Sequence, residues 1–236
     1  SARVETVPSD IAGFGNWVIA HPGRFTHPNP SNFMGATFLK QALIELAPDP
    51  TLLQQPVTDT TFATATAFLW AWYDKLRPNL WRQGKTFPKN QAMQQQLLND
   101  GEIDISMSFD PASAAAAVVQ GLLPDTVRVF VPKGGSIGNI SFVAIPFNAA
   151  HAEGAEVVAN FLLDPATQAH MQNIEVLGSF SVLDPMKLSD AANVAFATLP
   201  MAPALPPLKD LGPTLLEPHA SWMIRLTEEW AQRYTR

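Results

Sequence analysis

Glu102 and Asp104 stand two apart in GEIDISMSF, a spacing that on an extended strand turns both carboxylates to one face, where an acid and a base could share a site. They also lie where a helical pattern gives way to an alternating one, a place where acids commonly just solvate the turn. Spacing along one strand does not by itself give the facing geometry of a glycosidase pair. The five histidines, His21, His27, His151, His170 and His219, are scattered, with neither an HExxH pattern nor a close ligand pair. The chain has no cysteine, which excludes disulfides, thiolate catalysis, iron–sulfur clusters and cysteine-based zinc sites. No GxSxG nucleophile turn occurs. The run KGGSIGN, residues 133–139, fits neither a P-loop nor a dinucleotide fingerprint and reads as a flexible connection between strands. Trp70, Trp72, Tyr73 and Trp81 offer a platform for a ring or a cation. Against that stands the helical spacing of Trp72 with Phe68, Leu69 and Leu76, the pattern of a core face.

Two places combine polar and aromatic side chains with a strand-to-helix step: Ser31-Asn32-Phe33 and Ser108-Phe109-Asp110. In open α/β sheets ligands bind outside the carboxyl ends of the strands, where helix N-termini offer free N–H groups and a positive dipole end. Two such turns could converge on one small molecule. Ser31 and Asp110 serve equally as N-caps, and capping is compatible with lining a cleft.

The elements that must position these residues follow from the apolar pattern. A first helix runs through Phe14, Trp17, Val18 and Ile19 and stops at His21-Pro22-Gly23. RFTHP, 24–28, reads as a short strand. A helix over 31–46 follows, with Ser31 as its N-cap and Pro48 as its stop. Helical periods recur over 60–76 and over 90–101, the latter closing at Gly101 in a left-handed cap. EIDISMSF, 102–109, alternates as a strand does, and Asp110-Pro111 opens a helix over 112–123. VRVFVP and ISFVAIP read as two more strands, 153–163, 166–173 and 221–234 as helices. Six prolines between Pro200 and Pro218 mark an extended connection. Strands alternating with helices indicate α/β layers.

Composition narrows the classes further. The 236 residues suffice for one to two domains, and 15 basic against 21 acidic residues give a net charge of −6, unsuited to coating nucleic acid or an anionic membrane. Charged residues are only 15%, whereas the 21 prolines are close to twice the usual share of about 5% and imply many short connections. No run approaches the ~18 apolar residues of a membrane span, and SARVETVP has no apolar core of a signal peptide.

Three longer segments carry a family likeness. HPGRFTHPNPSNFMGATFLKQAL resembles the segment of bacterial extracellular solute-binding proteins in which a strand leads to a helix near the ligand, and GEIDISMSFDP resembles the strand-to-helix step that follows in the same lobe. IPFNAAHAEGAEVVANFLLDPATQAHMQN is similar to the segment where the chain of those proteins returns to the first lobe. The likeness covers most of the chain and points to relatives of thiamine-, iron- and sulfate-binding proteins. It implies an α/β fold of the type II periplasmic-binding-protein kind, two lobes joined by a hinge crossover and closing on a solute. This chain begins about where the first crossover strand of such a fold should end. The resemblance therefore implies a second α/β lobe over 1–138, a crossover return with the C-terminal part of the first lobe over 139–236, and an incomplete first lobe.

The function so implied is the non-enzymatic solute-binding component of an ABC importer, exported to the periplasm with its signal peptide outside this chain. Its partners are a small-molecule solute and a permease in the inner membrane, with no nucleic acid, no cofactor and no metal, and it is expected to be a monomer. The expected ligand-binding residues are Ser31, Asn32, Phe33, Ser108, Phe109, Asp110 and Asn139. Ser and Asn would hydrogen-bond, Phe would pack a ligand face, and Asp110 would answer a cationic or amine group. Two other readings stand beside it: an α/β hydrolase or glycosidase-like enzyme using Glu102 or Asp104 with a histidine, and a lobe that serves only protein interaction.

Overall fold

In the computed structural model, which describes residues 3–138, 140–200, 202–206 and 210–235, the chain divides into two compact units. The first comprises residues 1–109, 130–138 and 207–236, the second 110–129 and 139–206.

The first unit is built on helices. Asp10 caps α1 (Ile11–Ala20) by accepting the Gly13 N–H, and α2 (Phe33–Leu46) ends at Ala47, held extended by the following Pro48. The expected N-cap Ser31 is displaced by Asn32, whose Oδ1 accepts the Met34 N–H at 3.0 Å. The reason is a turn just upstream: Asn32 N–H bonds the Asn29 carbonyl and Ser31 N–H the Asn29 side chain, so Ser31 lies inside the turn. A Thr58–Thr61 capping box opens α3 (Asp59–Leu76). Its buried stripe is Phe62, Ala65, Thr66, Leu69, Trp70, Tyr73 and Leu76, whereas Phe68, expected inside, is exposed and Trp72 half-buried. α4 (Gln91–Asn99) closes at Gly101, whose φ of +74° is the left-handed cap the sequence predicts. α9 (Ala220–Tyr234), which buries Trp222, Leu226 and Trp230 at four-residue spacing, encloses the largest core with α1, α2 and α3, whereas Leu97 of α4 packs with Trp81 and Ile103 in a separate cluster.

Sheet is scarce among the described residues. β1 (Ser136–Ile137) and β2 (Thr214–Leu215) pair in parallel, Ser136 opposite Thr214 and Ile137 opposite Leu215. The glycine run expected to be a plain connection thus holds one strand, and the proline-rich stretch holds the other. The Gln41 side chain of α2 pins β1 by accepting the Ile137 N–H at 3.0 Å and donating to the Gly135 carbonyl at 3.2 Å.

The expected strands RFTHP and EIDISMSF shrink to one parallel bridge, Phe25 with Ile105. Gln94, fully buried on α4, explains why the pairing stops. Its amide donates to the Thr26 carbonyl at 2.5 Å and accepts the Met107 N–H at 3.4 Å, taking two backbone groups that a longer ladder would have paired.

The second unit holds α5 (Pro111–Val119), α6 (Ala152–Leu162), α7 (Pro165–Gln172) and α8 (Asp190–Ala197). Asp110 and Asp164 cap α5 and α7 with proline at the first helical position. α8, capped by Ser189, lies in a stretch for which the sequence pattern suggested no element. The core here is small: Ala112, Ala115, Ile174 and Ala204, with Val118, Phe180, Ala202 and Leu205 against it. The described residues of VRVFVP and ISFVAIP form no strand. A strand needs a partner backbone, and Phe142 and Val143 of the second segment lie open to solvent.

Candidate functional site

The site is set by the parallel bridge. Because Phe25 and Ile105 run in the same direction, their chains leave the bridge at the same end, one toward α2 and the other toward Ser108-Phe109. Gly35, in the first turn of α2, lets the helix start lie directly against the first of these chains. A side chain there would meet the Pro28 and Asn29 carbonyl oxygens. Phe33 and Phe109 are thereby brought together, ring centroids 5.5 Å apart and planes tilted by 34°. Both rings are about half exposed.

The other expected residues divide. Asn32 spends its side-chain oxygen on the α2 cap, and Ser31 is exposed with its N–H in the turn. Ser108 accepts from Gln91 Nε2 at 3.4 Å. Asp110 belongs to the second unit, where it accepts the Ala112 N–H at 2.8 Å. Burial raises its carboxyl pKa above the ordinary range, partly offset by that hydrogen bond. Asn139 lies outside the described residues.

Two residues that sequence reasoning passed over stand next to the rings. Lys40, seven residues after Phe33 and so on the same helix face, is almost wholly buried. Its ammonium pairs with Glu217 and lies 4.7 Å from the centre of the Phe33 ring. A lysine in the middle of the apolar run TFLKQALI was a usable signal, since burying a cation requires a partner. Glu217, 177 positions away, carried none.

The candidate acids of a hydrolase are otherwise engaged. Asp104, 7% exposed, takes a two-pronged ion pair from Arg24, at 2.7 Å from Nε and 2.6 Å from the terminal nitrogen, with Arg3 at 3.6 Å. Glu102 accepts the Trp81 indole N–H at 2.7 Å. Both brace the bridge region, and among the described residues neither carboxylate pairs with a histidine. Trp70, Tyr73 and Trp81 are buried, so they form core and not an open platform. Among the described residues no group of three metal-ligating side chains gathers, and no helix is long and apolar enough to cross a membrane.

Comparison with known proteins adds a family. The family model described as bacterial extracellular solute-binding protein matches residues 1–201. The chain is 44% identical over 215 residues to Protein YnjB of Escherichia coli (strain K12), an alignment covering 91% of this chain and 54% of that protein. The chain thus spans about half the length of the curated relative it matches. No solved structure matches it.

Proposed function

Since the chain belongs to the bacterial extracellular solute-binding protein family, which is non-catalytic, we propose that it serves as the solute-capturing component of an ABC importer. In this reading it binds a small solute in the periplasm and hands it, as a monomer, to a permease of the inner membrane. Its architecture is then a two-lobed type II periplasmic-binding fold, with the second lobe over 1–138 and the crossover return and part of the first over 139–236, closing around the solute. No cofactor and no nucleic acid enter this function.

One observation carries the reading. Phe33 and Phe109 are held as an open pair of rings where two parallel-paired segments end, at a place where they contribute little to the core. Apolar rings beside a few placed polar groups are the usual lining of a small-molecule site. Ser108 and Asn32 flank the pair in sequence.

A broad panel of small solutes, tested by thermal shift on the full-length protein, should include one that raises the Tm in a dose-dependent way. At a hundred times its Kd such a ligand stabilises by about 2.7 kcal/mol, several degrees for a protein of this size. The shift should vanish in the Phe33→Ala/Phe109→Ala variant. A panel of amines, organic acids, oxyanions, metals and heterocycles that leaves the Tm unmoved would overturn the reading.

A further inference from the structure

Resting on the solute-binding reading, we propose that Glu217 is the polar anchor of the site, that Lys40 is its positioning residue, and that the solute is a flat ring bearing an uncharged amino group. Both residues belong to the same unit as Phe33 and Phe109. Phe33 and Glu217 are linked through one group, since the Lys40 ammonium lies against the Phe33 ring and also pairs with the Glu217 carboxylate.

The pair is asymmetric in its access to solvent. The Lys40 side chain is 2% exposed, that of Glu217 35%. Glu217 Oε1 takes the ammonium, and no other partner of the carboxylate occurs among the described residues. Of the two charged groups the carboxylate is the one open to solvent, with acceptor lone pairs to spare, while the ammonium is not. That difference in access disfavours an anion, which would meet a carboxylate while the cation stays out of reach. The ammonium also cancels the carboxylate charge locally, so the site holds no surplus charge to favour a cation over a neutral donor. What fits is an N–H donor on a plane that can lie against Phe33 and Phe109. Lys40 contributes by fixing the direction of the free oxygen.

Two probes built on the same ring test this on the full-length protein by saturation-transfer NMR titration: 2-aminopyrimidine, neutral with an amino donor, and pyrimidine-2-carboxylate, an anion. The amino probe should bind at least about tenfold more tightly, the worth of one hydrogen bond to a charged acceptor. Replacing the ion pair by apolar residues, Lys40→Met with Glu217→Leu, should leave the fold intact, checked by circular dichroism, and bring the ratio of the two affinities to about one. Phe33→Ala with Phe109→Ala should abolish binding of both. Lys40→Met alone separates positioning from support, because it leaves the carboxylate unneutralised. Benzamidine, a flat cation, should then gain about fivefold or more over the amino probe relative to the native protein.

Equal or tighter binding of the carboxylate probe, an affinity ratio unchanged in the double substitution, or no detectable binding of the amino probe overturns the proposal. None of these outcomes touches the solute-capturing function, which falls only if the broad panel fails. A benzamidine preference unmoved by Lys40→Met reduces Lys40 to a structural residue and overturns its assigned role.

Discussion

A neutral imidazole is sealed among rings in the main core. His27 is fully buried, stacked on Phe38 at 4.8 Å and flanked by Phe87 and Trp230. Its Nδ1 lies 2.8 Å from the Pro28 carbonyl, which can only accept, so Nδ1 carries the proton; Nε2 then accepts from the Tyr73 hydroxyl at 2.8 Å. Burial lowers the His27 pKa from 6.5 to about 4, with the Pro28 hydrogen bond acting in the opposite direction. The unfolded chain therefore takes up this proton first as the pH falls. Stability is fully present above about pH 6.5 and is lost progressively toward about pH 4, by roughly 3 kcal/mol from this group. Urea unfolding of native protein and His27→Gln at several pH values should show that the variant lacks this part of the slope between those limits. Nothing in RFTHP distinguished His27 from the other four histidines, because what sets its pKa is a cage of rings from α2, α9 and the Phe87 loop. Phe33 and Phe109 were legible as candidates because each follows or precedes a capping residue at a strand-to-helix step. Their 5.5 Å approach was not.

At the scale of elements, all the helices but α8 were readable and the strands were not. Caps and apolar stripes act within one turn of their own residues, so Asp110-Pro111, Asp164-Pro165 and the Gly101 stop mean the same thing in the sequence and in the fold. A strand depends on a partner far along the chain: Phe25 meets Ile105, and beyond them the Gln94 amide replaces the ladder. Gln94→Leu would leave the buried Thr26 carbonyl and Met107 N–H unpaired. It should cost about 2–4 kcal/mol in chemical denaturation, and should raise amide exchange at Met107 more than in α9. If the loss stayed below about 0.5 kcal/mol, the two backbone groups would have to find other partners.

At the scale of the molecule, the two units differ in how their apolar residues are used. The first buries Trp222, Trp230, Tyr73 and Phe25 almost completely, whereas in the second no residue of α6 is buried and Phe142 and Phe147 are 86% and 103% exposed. In the 236-residue chain, Phe142→Ser with Phe147→Ser should change stability by no more than about 0.5 kcal/mol while lowering binding of the dye ANS. A loss of several kcal/mol would place those rings in a core. The apolar ISFVAIP segment showed in advance only that its residues could form a strand; whether a neighbouring backbone exists is a property of the whole assembly. By itself the sequence determined most of the helices, several of their ends and, through three long segments, the family, since helix signals are local and family likeness is a matter of residue order; α8 and the Asn32 cap were exceptions. Only the tertiary structure decided that the acids Glu102 and Asp104 brace a bridge, that two rings 76 positions apart form one open surface, and that Lys40 is buried behind them against Glu217. Those facts depend on which distant groups meet after the chain has folded: Lys40 stood out within its apolar run, but nothing in the spacing of residues along the chain pointed to the partner it meets.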